Sequence, residues 1–311
     1  MSWRQYQNLR IVATLSAGIK EKYSVTADIL SFQLCSRQYG FFAVRRYQPA
    51  HVVQIWFGTI IHQVLDKLHM HYFGLLNPNT KGQIPLDTDV ETYFTEVEDS
   101  LRARGIKAIN QSIRDTALKV LKIFNRVEGA NLYPYVLDTE CALQADQGNY
   151  ILHGIVDVLR DISVGRAIPN YDSVEIWDYK GSRFPDINRQ DGRRKLERYT
   201  FQMLAYAQLY KLKTGNLPLK GVLYFMNELD TDPKPTARPT QAAYEVDFRN
   251  PLNVQHINQA MQSFDQTVID IERCRQQDRW DSPQQMPDKE TCDICDLRWN
   301  CPTVSYPMRY P

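Results

Sequence analysis

Three residues near the middle of the chain have the types that phosphodiester hydrolysis needs: Asp157, Asp178 and Lys180. Asp157 interrupts an apolar run, Ile151 to Leu159, that reads as a strand. An unpartnered carboxylate in such a run is costly, so the position predicts a metal or cation beside it. Asp178 and Lys180 sit two apart in a second strand-like run, Val174 to Lys180. Side chains alternate along a strand, so this pair shares one face while Tyr179 points the other way. Two acids and a lysine at one sheet edge suit metal-assisted phosphodiester hydrolysis. The acids would hold a hard cation. That cation would polarise a phosphate and acidify a bound water. The lysine would orient the water or stabilise the developing charge.

A second group is Cys292-Asp293-Ile294-Cys295 with Cys301. Cysteines at this spacing can grip one metal from a single turn, and the third makes a redox dithiol a poorer reading. A fourth ligand must come from elsewhere. Zinc and an iron–sulfur cluster both accept four thiolates, so the residues alone leave the two open. A basic run, Arg183, Arg189, Arg193, Arg194, Lys195 and Arg198, follows the Asp–Lys strand. Such runs are usually solvated, but this one lies beside the acids, where phosphate contact is the alternative.

The elements that must position these groups read as α/β. Residues 24–42 form a helical segment, and Gln54 to Phe73 carries apolar residues at helical spacing. Gly58 and His62 share a face of that helix, whereas His69 and His71 read as ordinary surface residues. Residues 77–90 read as a loop, and Val90 to Gly129 as one or two charged helices without visible chemistry. Tyr135 to Leu143 is a candidate first strand. The two central strands pair as a hairpin across a long turn, Asp161 to Asp172. Glu197 to Leu212 is a helix capped by Gly215, and Leu219 to Met226 returns parallel through a right-handed crossover. Ala243 to Phe248 is an edge strand; Asn250-Pro251 opens a helix that runs to about Gln277.

With 311 residues, 43% hydrophobic, the chain can bury one large core. The organisation expected is a single domain over 1–311. It comprises an N-terminal helical part (24–76), a helical insert (77–130), a core (135–248) and a C-terminal helix with the cysteines (250–311). A net charge of +1 gives no global basic signature, so any nucleic-acid site must be a local patch. No apolar run is long enough to span a bilayer, and Met1-Ser2-Trp3-Arg4 lacks a secretory pattern. A cytoplasmic location is expected, where clustered cysteines more often bind metal than form disulfides. No Walker A pattern occurs, so no ATP motor is expected.

Taken in order, Gly154-x-x-Asp157, Asp178-Tyr179-Lys180 and Gln202-x-x-x-Tyr206 resemble the core of the PD-(D/E)xK nucleases, and among them the RecB-like exonucleases. Gly58-x-x-x-His62 matches that branch's upstream histidine. Cys35 with Cys292, Cys295 and Cys301 matches the one-early, three-late layout of members with an iron–sulfur cluster. The resemblance spans about Ser31 to Pro302. It implies a restriction-endonuclease-like mixed sheet flanked by helices, with a cysteine clamp joining the two ends of the chain. It implies Mg²⁺ or Mn²⁺ on His62, Asp157, Asp178 and the Tyr179 carbonyl, with Lys180 at the water and Gln202 and Tyr206 supporting the site or the DNA. It implies a [4Fe–4S] cluster on the four cysteines, leaving Cys141 and Cys274 aside. Glu140 falls where the family often has an acid; a supporting role and a plain surface carboxylate are both open. The implied activity is DNA exonuclease, on single strands or duplex ends, with protein partners in a repair or CRISPR complex. The insert makes the chain longer than the compact CRISPR-associated members. The rival readings are a catalytically silent nucleic-acid binder and a zinc-clamped hydrolase acting on another substrate.

Overall fold

The computed structural model describes residues 21–47, 53–163, 173–284, 286–287, 289–293 and 295–303. The expected turn between the central strands falls mostly outside them. Six strands form one mixed sheet: β1 (Lys22–Ser24), β2 (Val136–Asp146), β3 (Ile151–Asp161), β4 (Val174–Lys180), β5 (Lys220–Phe225) and β6 (Ala243–Asp247). Five long helices flank it: α1 (Val53–Tyr72), α2 (Asp87–Ala103), α3 (Gln111–Leu132), α4 (Gln190–Thr214) and α5 (Pro251–Gln277). β4 pairs antiparallel with β3 and parallel with β5, and β6 closes the edge antiparallel to β5. This is a restriction-endonuclease-like arrangement, as expected.

Each face of the sheet carries its own core. Ile176, Leu223 and Phe225 pack against α4 and α5, with Leu204, Leu209 and Phe264. Trp177, Tyr179, Val222 and Tyr224 pack against α1 to α3, with Ile60, Val64, Phe94 and Phe124. Strand alternation therefore sends Ile176, Asp178 and Lys180 to the α4 side and Trp177 and Tyr179 to the other. In β3 that alternation slips. Val156 and Leu159 pack in the first core, but Val158 packs in the second, so the slip falls at Asp157.

Several elements depart from expectation. β1 lies in a stretch that carries no period of its own; it is three residues long and is held by parallel pairing to Ile151–His153. α4 begins at Gln190, seven residues before the predicted start, so Arg193 and Arg194 lie on the helix and not in a loop. Arg, Lys and Gln are good helix formers, and the charge run hid the apolar period. Gly192 is obligatory there, because a Cβ would meet the Asp186 carbonyl oxygen at 2.0 Å. His69 and His71 are buried, not on the surface. α1 is covered by α2 and α3, and each histidine finds a tyrosine: His69 Nε2 lies 3.3 Å from Tyr179 Oη and His71 Nδ1 2.9 Å from Tyr93 Oη. Burial drops His69 to a pKa of about 3, with Asp157 opposing weakly, so it stays neutral.

α4 is seated by Gly154. A Cβ at that position would lie 2.5 Å from Tyr206 Cε1 and 3.0 Å from Cδ1. Gly154→Ala should therefore push Tyr206 off the sheet and cost about 1–3 kcal/mol. A chemical denaturation midpoint equal to wild type would show that the helix yields without strain.

Candidate active site

β3 and β4 pair from Asp161↔Val174 to Val158↔Trp177 and then diverge. Beyond that fork β4 continues on β5 alone, with Asp178↔Leu223 and Lys180↔Phe225. The fork leaves backbone groups that must be satisfied some other way. The Tyr179 N–H donates to Asp157 Oδ2 at 2.6 Å, so a side-chain carboxylate takes the place of a ladder carbonyl. The other oxygen, Oδ1, faces His62 Nδ1 at 3.2 Å. β2 brings a third group. The ladder passes from Thr139↔Val158 to Cys141↔Val156, which sets Glu140 opposite Asp157. Glu140 has φ of 48°, the left-handed region that non-glycine residues rarely enter. Such strain is a recurring property of functional positions. One ligand atom each from His62, Glu140 and Asp157 lie within 4.8 Å of one another, a donor set suited to a divalent cation.

Asp178 stands beside this group and is buried. Its Oδ1 accepts from Gln202 Nε2 at 2.7 Å, and its Oδ2 lies 2.6 Å from Lys180 Nζ. The second contact is an ion pair without aligned hydrogen-bond geometry, which leaves Oδ2 a buried oxygen with an unused lone pair. Burial pushes the Asp178 carboxyl up, Lys180 pulls it down, and neighbouring Asp157 raises it again. Gln202 ties the group together: its Oε1 accepts from Lys180 Nζ at 2.9 Å and its Nε2 reaches Tyr206 Oη at 3.0 Å. The Lys180 ammonium also rests 4.4 Å from the Tyr199 ring centroid, a cation–π contact. Gln202 and Tyr206 lie one turn apart on α4, and Tyr199 lies three residues earlier.

These residues line one cavity of about 880 Å³. Its walls include Gly58 on α1, Ile113 and Thr116 on α3, Lys195 and Arg198 on α4, and Thr291 near the cysteines. A Cβ on Gly58 would meet nothing within 4 Å, so that wall stays open. The helical insert, in which the sequence shows no chemistry, thus supplies part of the cavity.

His62 carries the site's clearest titration. Burial alone would lower its pKa, but the charge and hydrogen bond of Asp157, with Asp178 and Glu140 behind, raise it to about 9. A histidine raised above its ordinary value of 6.5 adds stability in full below 6.5, and that stability fades as pH climbs through 9. In metal-free protein, His62→Gln should lower the melting temperature at pH 6 and make little difference at pH 10. An equal loss at both pH values would assign the effect to packing.

Of the expected site residues, the cavity gathers His62, Asp157, Asp178, Tyr179, Lys180, Arg198, Gln202 and Tyr206. Four arginines of the basic run lie outside it. Arg183 donates to the Asp230 carbonyl at 3.0 Å, and Arg189 pairs with Asp191 at 2.9 Å. Arg193 donates to the carbonyls of Ile187 and Asn188 at 2.9 and 3.2 Å. Arg194 lines a separate cavity. Lys195, a member of the same run, takes a place in the cavity with Arg198. The Tyr179 side chain is buried on the opposite face, and its N–H, not its carbonyl, is the group seen acting in the site. Asp178 faces Lys180 and Gln202, while Glu140 completes the set of three ligand atoms. The signal for Glu140 was its place opposite Asp157, which follows from strand register and not from spacing.

Cys35, Cys292, Cys295 and Cys301 line one small cavity. Cys35 interrupts two helical turns, Ser31–Leu34 and Ser36–Gln38, with extended φ and ψ of −158° and 102°. Burial raises its thiol pKa, and the N–H groups of Gln38 and Arg37 work against that rise. The C-terminal segment docks on these turns. Ser36 Oγ donates to the Asp281 carbonyl at 2.7 Å, Gln38 Nε2 to that of Thr291 at 3.3 Å, and Trp280 packs on Gly40.

A mixed sheet forked over two acids and a lysine, with a histidine from a preceding helix, defines the nuclease class of fold. A profile of the PD-(D/E)XK nuclease superfamily matches residues 24–302, and the chain belongs to that superfamily. Among solved structures it is similar to one from Eubacterium rectale described as a "Putative exonuclease". The two share 12% identity and a TM-score of 0.51 over 97% of each chain, a likeness of fold. No curated protein matches the sequence. No helix among the described residues is long and apolar enough to cross a membrane.

Proposed function

We propose that this protein is a divalent-metal-dependent DNA exonuclease acting on single strands or duplex ends. The observation that carries the reading is the convergence of His62, Glu140 and Asp157 on one cation-sized space beside the Asp178–Lys180 pair. These residues would hold Mg²⁺ or Mn²⁺, which when bound polarises a phosphate and makes a potent nucleophile of water at neutral pH. Asp178, which the family resemblance adds to the cation's ligands, stands beside this set and pairs with Lys180. Lys180, steadied by Asp178, Gln202 and Tyr199, orients the attacking water or meets the charge that develops on the phosphate. Gln202 keeps Asp178 and Lys180 in register, and Tyr206 fixes Gln202. Arg198 and Lys195 face the same cavity as cations for the substrate backbone.

The four cysteines are assigned to a [4Fe–4S] cluster. The four thiols line a common cavity, and their one-early, three-late order resembles that of nucleases with such a cluster. Such chemistry suits a cytoplasmic protein, where thiols stay reduced. A repair or CRISPR complex would supply the DNA ends.

End-labelled single- and double-stranded DNA, incubated with and without Mn²⁺, tests the activity. The expected result is metal-dependent shortening from an end, with closed circular single strands left intact. Binding without cleavage in Mn²⁺ would replace this reading with that of a silent nucleic-acid binder.

A further inference from the structure

A second cavity of about 510 Å³ adjoins the first. Helix α4 divides them. Lys195, Tyr199, Gln202 and Tyr206 face the catalytic cavity, whereas Arg194, Glu197 and Phe201 face the second, and Arg198 lines both. The spacings 194, 197, 198 and 201 make one helical stripe, set beside the catalytic stripe and touching it at Arg198. The far wall is mostly apolar: Leu30 and Leu34 from the N-terminal turns and Met286 from the linker to the cysteines, with Gln33 between the leucines donating to Ser263 and Thr267. Phe201 is half-buried and anchored edge-on by Phe264, with ring centroids 5.2 Å apart. Among the described residues Arg194 has no acidic partner, so its charge is available to a ligand. Glu197 sits between the cations and Phe201 and disfavours an anion at that point, which confines a phosphate to the Arg194–Arg198 side.

An aromatic ring, an apolar wall and two guanidinium groups in a concave site are the parts that single-stranded nucleic acid requires. Bases stack on the apolar side while the backbone tracks the cations. The volume suits a ligand of nucleotide size. We propose that this second cavity is a nucleotide subsite for the single-stranded substrate, one step along the strand from the scissile phosphate, with Arg198 bridging successive phosphates. The proposal rests on the nuclease reading for its substrate, and on the shared Arg198 for the continuity of the path.

Binding of labelled oligothymidylates of three to nine nucleotides, in Ca²⁺ to prevent turnover, tests it. Affinity should rise in a step, on the order of tenfold, once the strand is long enough to reach the second cavity. Phe201→Ala should erase the step. Met286→Glu, in the linker outside the packed core, should erase it by charge repulsion and covers the case in which Phe201→Ala fails to fold. Arg194→Ala should flatten the salt dependence of the longer strands by about 0.7 in log–log slope. A smooth rise without a step, or a step that survives in both Phe201→Ala and Met286→Glu, overturns the proposal. Cleavage by the wild type with no length step defeats the subsite and keeps the nuclease reading. A length step in a protein that cuts no strand does the reverse.

Discussion

Asp157→Asn should reduce DNA cleavage by on the order of 10³-fold, the scale set by removing one organised electrostatic group from a site of this kind. The substitution is chosen because Asp157 has two tasks. Its Oδ2 accepts the Tyr179 N–H at the strand fork, and its Oδ1 faces His62. Asparagine keeps a carbonyl oxygen for the first task, so Tyr179 need not be left unsatisfied, a loss that costs about 1–3 kcal/mol. It removes the charge that the second task requires. Activity should collapse, while the melting temperature should fall at pH 6, where the His62 pairing is lost, and move little at pH 10. Asp157→Ala should lose both, and the difference in stability between the two variants measures the fork bond. Wild-type cleavage by well-folded Asp157→Asn would remove this residue from the catalytic set.

Replacing any one of Cys35, Cys292, Cys295 or Cys301 with alanine should strip the proposed cluster and destabilise the fold. Protein purified without oxygen should be brown, with about four irons per chain. The stability loss should be large, because the proposed cluster would tie Cys35 to the segment that already docks on Ser36 and Gln38 and so close a very long loop. Alanine at Cys141 should leave the colour intact, since that residue sits on β2, paired opposite Val156. A colourless protein with one zinc would replace the iron and keep the clamp. Colour that survives Cys35→Ala would show that the fourth ligand lies elsewhere.

The sequence displays whatever depends on period. Asp178 and Lys180 share a face because strands alternate, and Gln202 and Tyr206 align because helices repeat. The parallel return of β5 and the opening of α5 at Asn250-Pro251 were legible for the same local reasons. What depends on where pairing stops was hidden. The fork after Val158↔Trp177 places Asp157 against the Tyr179 N–H, and no local pattern announces it. Glu140 enters the site through the β2–β3 register and a left-handed backbone. His69 and His71 looked like surface residues because α1 is polar at its end, yet α2 and α3 cover that end. The basic run misled in the other direction. Its charge suggested phosphate contact throughout, but Arg189 and Arg193 satisfy their own helix start.

The docking of the segment after Trp280 on residues 36–40 also orders events during synthesis. Translation proceeds from the N-terminus, and domains acquire structure as they emerge. Cys35, His62, Asp157, Asp178 and Lys180 all leave the ribosome before Trp280 and the late cysteines. The turns around Cys35 therefore wait, uncovered, until all six strands of the sheet have been made. Thr291 joins the wall of the catalytic cavity only at that last stage. Completion of the cavity therefore waits on the segment after Trp280, so a product cut before it carries Asp157 and Asp178 without Thr291 in the wall.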